Sequence, residues 1–202
     1  MTDPANLSPA ARLADAFRQF DAANALDPNE ELCAGVLRPR ELVYAEWLTA
    51  WVLRLAPDAS EALRLAARCQ HLRRWEIPRE QYPMDRPGYL RWRADLKQFH
   101  ARAAGEILGN LGFPEELIGR VRSLNLKQNF PQDPDARVLE DALCLVFLEH
   151  QLPGLARKTT PEKLLNALRK SWGKMTPAAR ELALALPYAP AEKALLTQAL
   201  AG

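Results

Sequence analysis

Cysteine is scarce in this chain, and no two cysteines have the CxxC spacing. The 202 residues include three cysteines, which are far apart and odd in number: Cys33, Cys69 and Cys144. This pattern argues against a zinc finger and against a disulfide framework. Reduced thiols in a cytoplasmic protein are the simpler interpretation.

Long apolar runs and a large excess of one charge are also missing. The most apolar stretch, residues 42–53, is interrupted by Glu46 and is too short to cross a bilayer. The N-terminal segment MTDPANLSPAARLADAF has no apolar core of the signal-peptide type, so no signal peptide is expected. The formal net charge of +2 argues against a nucleic-acid coat protein, but it leaves room for a local basic patch.

The common phosphate-binding and nucleophile motifs are absent. The sequence contains no P-loop, no Rossmann fingerprint and no G-x-S-x-G motif. It also has no internal repeat and no alternating strand pattern. A chain of this length fits one domain, or one domain with a small addition.

Apolar residues recur at helical spacing, which predicts an all-α protein. Residues 25–38, 76–87 and 128–134 are expected to be loops. We expect a helical core over residues 1–152 and a small C-terminal helical extension over residues 153–202. Helices are predicted at 9–24, 40–55, 60–75, 88–111, 114–126 and 135–150, followed by three short helices that begin at Pro161, Pro177 and Pro190.

Four ionisable residues lie on the apolar faces of four predicted helices: Glu46, His71, His100 and Asp141. A buried carboxylate without a partner is costly, so each acid needs one. If the four helices share a core, these side chains can meet, and imidazole with carboxylate is a normal ligand set for Zn, Mn or Fe. The alternative is a buried hydrogen-bond network in which the histidines satisfy the acids.

A basic, proline-rich segment separates the third and fourth predicted helices. Guanidinium groups bind phosphate or carboxylate through paired hydrogen bonds, and aromatic rings stack on bases. We expect the loop to lie over the site that contains His71 and His100, with Arg74, Arg79 and Arg91 facing it. The alternative is a solvated basic face with the aromatic side chains packed in the core. The candidate ligand contacts are Arg73, Arg74, Arg79, Tyr82, Arg91 and Trp92.

Three runs resemble the HD-domain metal-dependent phosphohydrolases, an all-α superfamily. They are LAARCQH at 65–71, FHARAAGEIL at 99–108 and LEDA at 139–142, and the resemblance spans residues 36–150. It implies an HD-domain-like helical bundle. Asp141 matches the family's last Asp directly, and His100 matches a family histidine loosely.

The same segment departs from the HD pattern at two positions. Gln70-His71 occupies the place of the family's His-Asp doublet, and Tyr44 or Glu46 occupies the place of its first histidine. A standard HD metal site therefore does not carry over. The runs YAEWLT, RCQHLRRWEIPREQYP, GYLRWR and LEDALCLVFLE are similar, more specifically, to a domain-of-unknown-function family, which implies no activity.

Two functions are carried forward. The first is an HD-like hydrolase of a phosphorylated small molecule or nucleotide. In it His71, His100 and Asp141 would bind a divalent transition metal, and Glu46 would complete the catalytic set. The second is a non-catalytic helical module that binds an anionic partner, such as RNA or an acidic protein surface. Neither function involves a membrane.

Overall fold

Helices make up most of the part of the chain that the computed structural model describes, residues 8–201. The prediction of an all-α fold is confirmed. The expectation about a signal peptide concerns residues 1–7 in part, and these lie outside the described residues. The α-helices are α1 Pro9–Asn24, α2 Arg40–Leu55, α3 Glu61–Arg68, α4 Arg86–Asn110, α5 Glu115–Leu126, α6 Pro134–Val146, α7 Leu152–Lys158, α8 Pro161–Lys174, α9 Pro177–Leu184 and α10 Pro190–Leu200.

The chain divides into two compact units, one up to Ala136 and the other from Arg137. In the first unit, α3 packs against α2 and α5, and α4 packs against α5. The core is built from apolar faces at helical spacing, such as Val43, Leu48 and Val52 on α2. The sequence-based boundary after residue 152 lies further along the chain than this division.

A short β-hairpin replaces the loop expected at residues 25–38. Strand β1 (Glu30–Cys33) pairs antiparallel with β2 (Val36–Pro39). Ala34 and Gly35 form the two-residue turn with φ angles of 49° and 83°, a left-handed conformation that suits glycine. The hairpin was not predicted because its strands have four residues each and leave Leu32 and Leu37 exposed on one face.

The third helix is shorter than predicted, and the segment after it is more ordered. Helix α3 ends at Arg68, and 3-10 turns follow at Arg74–Glu76 and Arg79–Gln81. Helix α4 begins before Gly88 because the carboxylate of Asp85 accepts a hydrogen bond of 2.7 Å from the Gly88 N–H. His71 therefore lies in a turn and not on a helix.

The second unit contains α6 from Arg137 onward and the helices α7 to α10, and in it α8 packs against α10. The sixth helix was expected to end at residue 150. Instead, the helix widens into a π turn at Phe147–Gln151 and continues as α7. Pro153 lies in the first turn of α7, where its lack of a backbone N–H costs no helical hydrogen bond. None of the helices within residues 8–201 is both long and apolar enough to cross a membrane.

Candidate functional site: a buried glutamate–histidine pair

A buried glutamate and a partly exposed histidine contact each other in the first unit. Glu41 lies in the first turn of α2, and His71 lies in the turn after α3. Nδ1 of His71 is 3.2 Å from Oε2 of Glu41. The side chain of Glu41 is 8% exposed and that of His71 is 21% exposed, so solutes reach the imidazole more easily than the carboxylate. We call this contact the Glu41–His71 pair.

Backbone contacts hold the two sides of the pair in place. The carboxylate of Asp27 accepts a hydrogen bond of 3.0 Å from the N–H of Glu41. Asn24, the fully buried last residue of α1, donates to the carbonyl of Glu41 and accepts from the N–H of Arg73. Arg73 has a left-handed φ of 55°, a conformation that is costly for a residue other than glycine. Asn24 therefore connects the start of α2 to the turn that carries His71.

Two further rings contact the imidazole of His71. Tyr44 stacks on it with ring centroids 4.0 Å apart and an interplanar angle of 13°. Tyr44 follows Glu41 by three residues, so both side chains lie on the same face of α2. The ring centroid of His100, from α4, is 5.8 Å away. The orientation of His71 is therefore set by a carboxylate and an aromatic face together.

His100 is neutral, and its tautomer follows from its hydrogen bond. Its Nδ1 is 2.8 Å from the carbonyl oxygen of Leu72. Because a carbonyl oxygen only accepts, the ring proton is on Nδ1. Burial lowers the pKa of His100 to about 3, so Nε2 keeps an unprotonated lone pair. That atom is buried and has no hydrogen-bond partner among the described residues.

The protonation of the Glu41–His71 pair is set mainly by burial. Burial raises the pKa of Glu41 to about 7, although the positive charge of Arg74 acts in the opposite direction. Burial also lowers the pKa of His71 well below its usual range, and the charges of Arg74, Lys127 and Arg93 lower it further. Near neutral pH the imidazole is therefore uncharged, while the carboxyl group exchanges a proton.

Cations surround this uncharged imidazole. Nε of Arg74 is 3.7 Å from Oε1 of Glu41, and the guanidinium of Arg74 lies 4.9 Å from the centroid of the Trp92 ring. Arg93 and Lys127 are close enough to act on the pKa of His71. The positive potential at the ring favours an anionic ligand beside His71.

The arginines expected to bind a ligand have different partners. Arg73 forms two hydrogen bonds with the carboxylate of Glu76, at 2.6 and 2.7 Å. Arg91 is exposed on α4. The guanidinium of Arg79 donates to three backbone carbonyls of its own loop, those of Tyr82, Pro83 and Asp85. Among the expected arginines, Arg74 is the one that the structure brings into contact with the pair.

Trp92 and Tyr82 anchor the loop to α4. The indole N–H of Trp92 donates to the carbonyl of Ile77 at 2.8 Å, and the hydroxyl of Tyr82 donates to Asp95 at 2.8 Å. Through its ring contact with Arg74, Trp92 also links the loop to the Glu41–His71 pair. The loop is thus ordered by contacts from both of its ends.

The two acids of the predicted metal centre have partners of their own. The carboxylate of Glu46 forms two hydrogen bonds with Arg38 of strand β2. Asp141 belongs to the second unit, where it accepts hydrogen bonds from the N–H and the hydroxyl of Thr176 at the start of α9. These contacts satisfy both carboxylates.

The histidines resemble metal ligands in one respect. Both His71 and His100 have Nδ1 engaged by an oxygen atom, which is usual for histidines that bind a metal through Nε2. However, no group of three or more His, Cys, Asp or Glu side chains within residues 8–201 is arranged to hold a metal ion. A metal at this site stays a prediction.

Sequence reasoning missed Glu41. An acidic residue in the first turn of a helix normally stabilises the helix dipole at the surface, so it gave no reason to expect a buried pair. A weak signal existed, since Glu41 precedes Tyr44 by three residues on a helix that is apolar nearly all round. Its partner lies 30 residues later, and only the fold brings the two together.

These features define the chain as an all-α protein with a buried glutamate–histidine pair in its first unit. The sequence profile of one family, described as Domain of unknown function (DUF4202), matches residues 14–196. The chain belongs to this family, and the prediction of a domain-of-unknown-function family is confirmed. The resemblance to HD phosphohydrolases stays a prediction. Neither a curated protein nor a solved structure matches the chain significantly.

Proposed function

We propose that the first unit contains a general acid–base site that hydrolyses a phosphorylated small molecule or nucleotide. The observation that carries this proposal is the 3.2 Å contact between Glu41 and His71, with Arg74 beside the same carboxylate. His71 would be the catalytic residue, Glu41 the positioning residue, and Arg74 the contact for the phosphate.

The pair offers both protonation states that hydrolysis requires. When Glu41 is ionised, it accepts the Nδ1 proton of His71, and Nε2 is then a base. When Glu41 is protonated, it donates to Nδ1, and Nε2 then carries the proton. A pKa of about 7 for Glu41 allows both forms near neutral pH.

In the proposed reaction one proton passes through His71. Nε2 takes a proton from water as the water oxygen bonds to phosphorus, and the Nδ1 proton moves to Glu41, so the imidazole stays uncharged. The ester P–O bond breaks, the leaving oxygen receives the proton from Nε2, and Glu41 returns its proton to Nδ1. Arg74 neutralises part of the charge on the phosphoryl oxygens during this step.

The test is hydrolysis of a panel of phosphate esters and nucleotides by wild type, His71→Gln and Glu41→Gln. We expect His71→Gln to lower kcat by about 10²- to 10⁴-fold, the usual contribution of a general acid–base group. Glu41→Gln should shift the pH profile of kcat and leave KM nearly unchanged, since Glu41 acts through His71.

His150→Gln is the matched control, because His150 also lies beside a glutamate, with Nε2 3.1 Å from Glu149. It should keep the wild-type rate. Absence of turnover over the whole panel, or a normal rate for His71→Gln, would contradict the proposal.

A divalent metal and a cytoplasmic location remain parts of the hypothesis. His71 and His100 provide two imidazoles, but no step above uses a metal. Elemental analysis of protein purified without chelator measures whether Mn, Fe or Zn is present in stoichiometric amount. The three free thiols support a reducing compartment.

A further inference from the structure

The first two turns of α4 form a surface outside the Glu41–His71 pair. Arg86 and Arg93 are exposed there, on the same side of the helix as Tyr89 and Leu90. Tyr89 is 41% exposed and Leu90 is 56% exposed. We call this surface, residues 86–93, the α4 surface. It combines basic groups with an accessible aromatic ring.

The segment around this surface carries a small positive excess. Residues 73–95 contain six arginines against four acidic residues, an excess of two. Asp85 and Asp95 are engaged as acceptors by the Gly88 N–H and the Tyr82 hydroxyl. Hydrogen bonds from these neutral donors leave both carboxylates charged. Asp95 lies on the side of α4 away from Arg93, so Arg86 and Arg93 supply the positive charge beside Tyr89.

Ring contacts lead from the α4 surface to the Glu41–His71 pair. The guanidinium of Arg93 lies 5.8 Å from the centroid of the Tyr89 ring. The rings of Tyr89 and Trp92 are 5.9 Å apart between centroids, and Arg74 packs on Trp92. A ligand that extends along this path would meet alternating cations and aromatic rings.

We propose that the α4 surface binds a single strand of nucleic acid. Backbone phosphates would contact Arg86 and Arg93, and one base would stack on the exposed face of Tyr89. Aromatic rings placed among arginines suit a chain that carries a phosphate and a base in every unit. An acidic peptide carries negative charge, but it has no aromatic base in every unit to stack on Tyr89. The inference concerns binding alone and does not rest on the hydrolytic role of His71.

The test is fluorescence anisotropy with a labelled single-stranded oligonucleotide of about ten nucleotides at several salt concentrations. In wild type, log Kd should rise linearly with log salt. Arg86→Gln with Arg93→Gln should lower this slope by about 1.4, since each lost phosphate contact on a single strand contributes about 0.7. Tyr89→Leu should weaken binding about fivefold or more and leave the slope unchanged.

Two variants serve as controls. Lys163→Gln with Lys170→Gln removes the same charge from exposed positions of α8 and should keep the wild-type slope. His71→Gln should bind the oligonucleotide normally even where hydrolysis is lost, so the two proposals fail independently.

Three outcomes would overturn the inference. The first is no binding at low salt. The second is equal loss in the α8 control, which would indicate a diffuse charge effect. The third is equal affinity for an acidic peptide or inorganic polyphosphate, combined with no effect of Tyr89→Leu, which would indicate a simple cation cluster. Circular dichroism confirms that each variant is folded.

Discussion

Arg38 donates two hydrogen bonds, of 2.8 and 2.7 Å, to the carboxylate of Glu46 and thereby joins strand β2 to helix α2. Both side chains are 35% exposed. Glu41, on the same helix, is buried and contacts His71. Glu41 and Glu46 therefore differ in partner and in burial. Substituting each of them should have a different effect on stability.

Glu46→Gln should lower the free energy of unfolding by less than about 1 kcal/mol. Ion pairs with this much exposure are screened by water and contribute little. The measurement is a urea melt of wild type and variant at neutral pH. A loss of several kcal/mol would show that the hairpin depends on this pair more than its exposure indicates.

Glu41→Gln should change the pH dependence of stability. The pKa of Glu41 is about 7 in the folded protein, against an ordinary value of 4.5. The folded state therefore holds the proton more tightly, and the stability that this provides is lost as the pH rises through 7. Glutamine resembles the protonated acid and does not titrate. The free energy of unfolding of the variant should therefore rise relative to that of wild type as the pH increases from 4.5 to 7. Urea melts across this range measure the difference, and a constant difference would contradict the prediction.

His100→Ala should lower the free energy of unfolding by about 1 to 3 kcal/mol. It removes the donor to the Leu72 carbonyl and leaves that oxygen unpaired at a site where His100 is 3% exposed. His100→Asn keeps a donor near the place of Nδ1 and should lose less. Urea melts of both variants test this, and an unchanged midpoint for His100→Ala would show that the hydrogen bond is dispensable.

The stability contributed by neutral His100 should also depend on pH. The pKa of His100 is lowered from 6.5 to about 3 in the folded protein, so the unfolded chain binds the proton first on acidification. This stability is complete above pH 6.5 and is lost as the pH falls toward 3. The difference in free energy of unfolding between wild type and His100→Asn should therefore become smaller as the pH falls over this range, as measured in the same melts.

The three thiols should differ in reactivity. Burial raises the pKa of Cys69 to about 12, and both Cys69 and Cys144 are buried, whereas Cys33 on the hairpin is partly exposed. Because the thiolate is the reactive form, iodoacetamide should label Cys33 first in the native protein. Mass spectrometry with and without urea identifies the labelled sites. Rapid native labelling of Cys69 would indicate local opening around the turn after α3.

Much of the fold could be predicted from the sequence because helix starts have local signals. Ser8 and Ser60 directly precede helices that begin at Pro9 and Glu61, and the side chain of each serine accepts a capping hydrogen bond from the first turn. The predicted bounds of α1 and α2 agree with the structure. The end of α3 at Arg68 had no such signal, because no glycine or proline follows it before Pro78.

The candidate site was predicted only in part. Two histidines on apolar faces led us to expect that His71 and His100 would meet, and their ring centroids are 5.8 Å apart. The sequence did not show which acid contacts His71. Glu46 pairs with Arg38 on a hairpin instead, and the short strands of that hairpin carry no strong sequence pattern. Neighbouring elements bury Glu41. The periodicity of apolar residues along one helix does not reveal that burial.

The buried amide of Asn24 touches the backbone on both sides of the Glu41–His71 pair but neither of its side chains. The separation of the two proton-carrying groups is therefore fixed from a third element, the end of α1. Because burial mainly sets the protonation of the pair, we expect a displacement of α1 that admits water to change its acidity. Proton exchange at His71 therefore depends on how α1, α2 and the turn after α3 pack together. A change in that packing can alter the exchange without any substitution of Glu41 or His71.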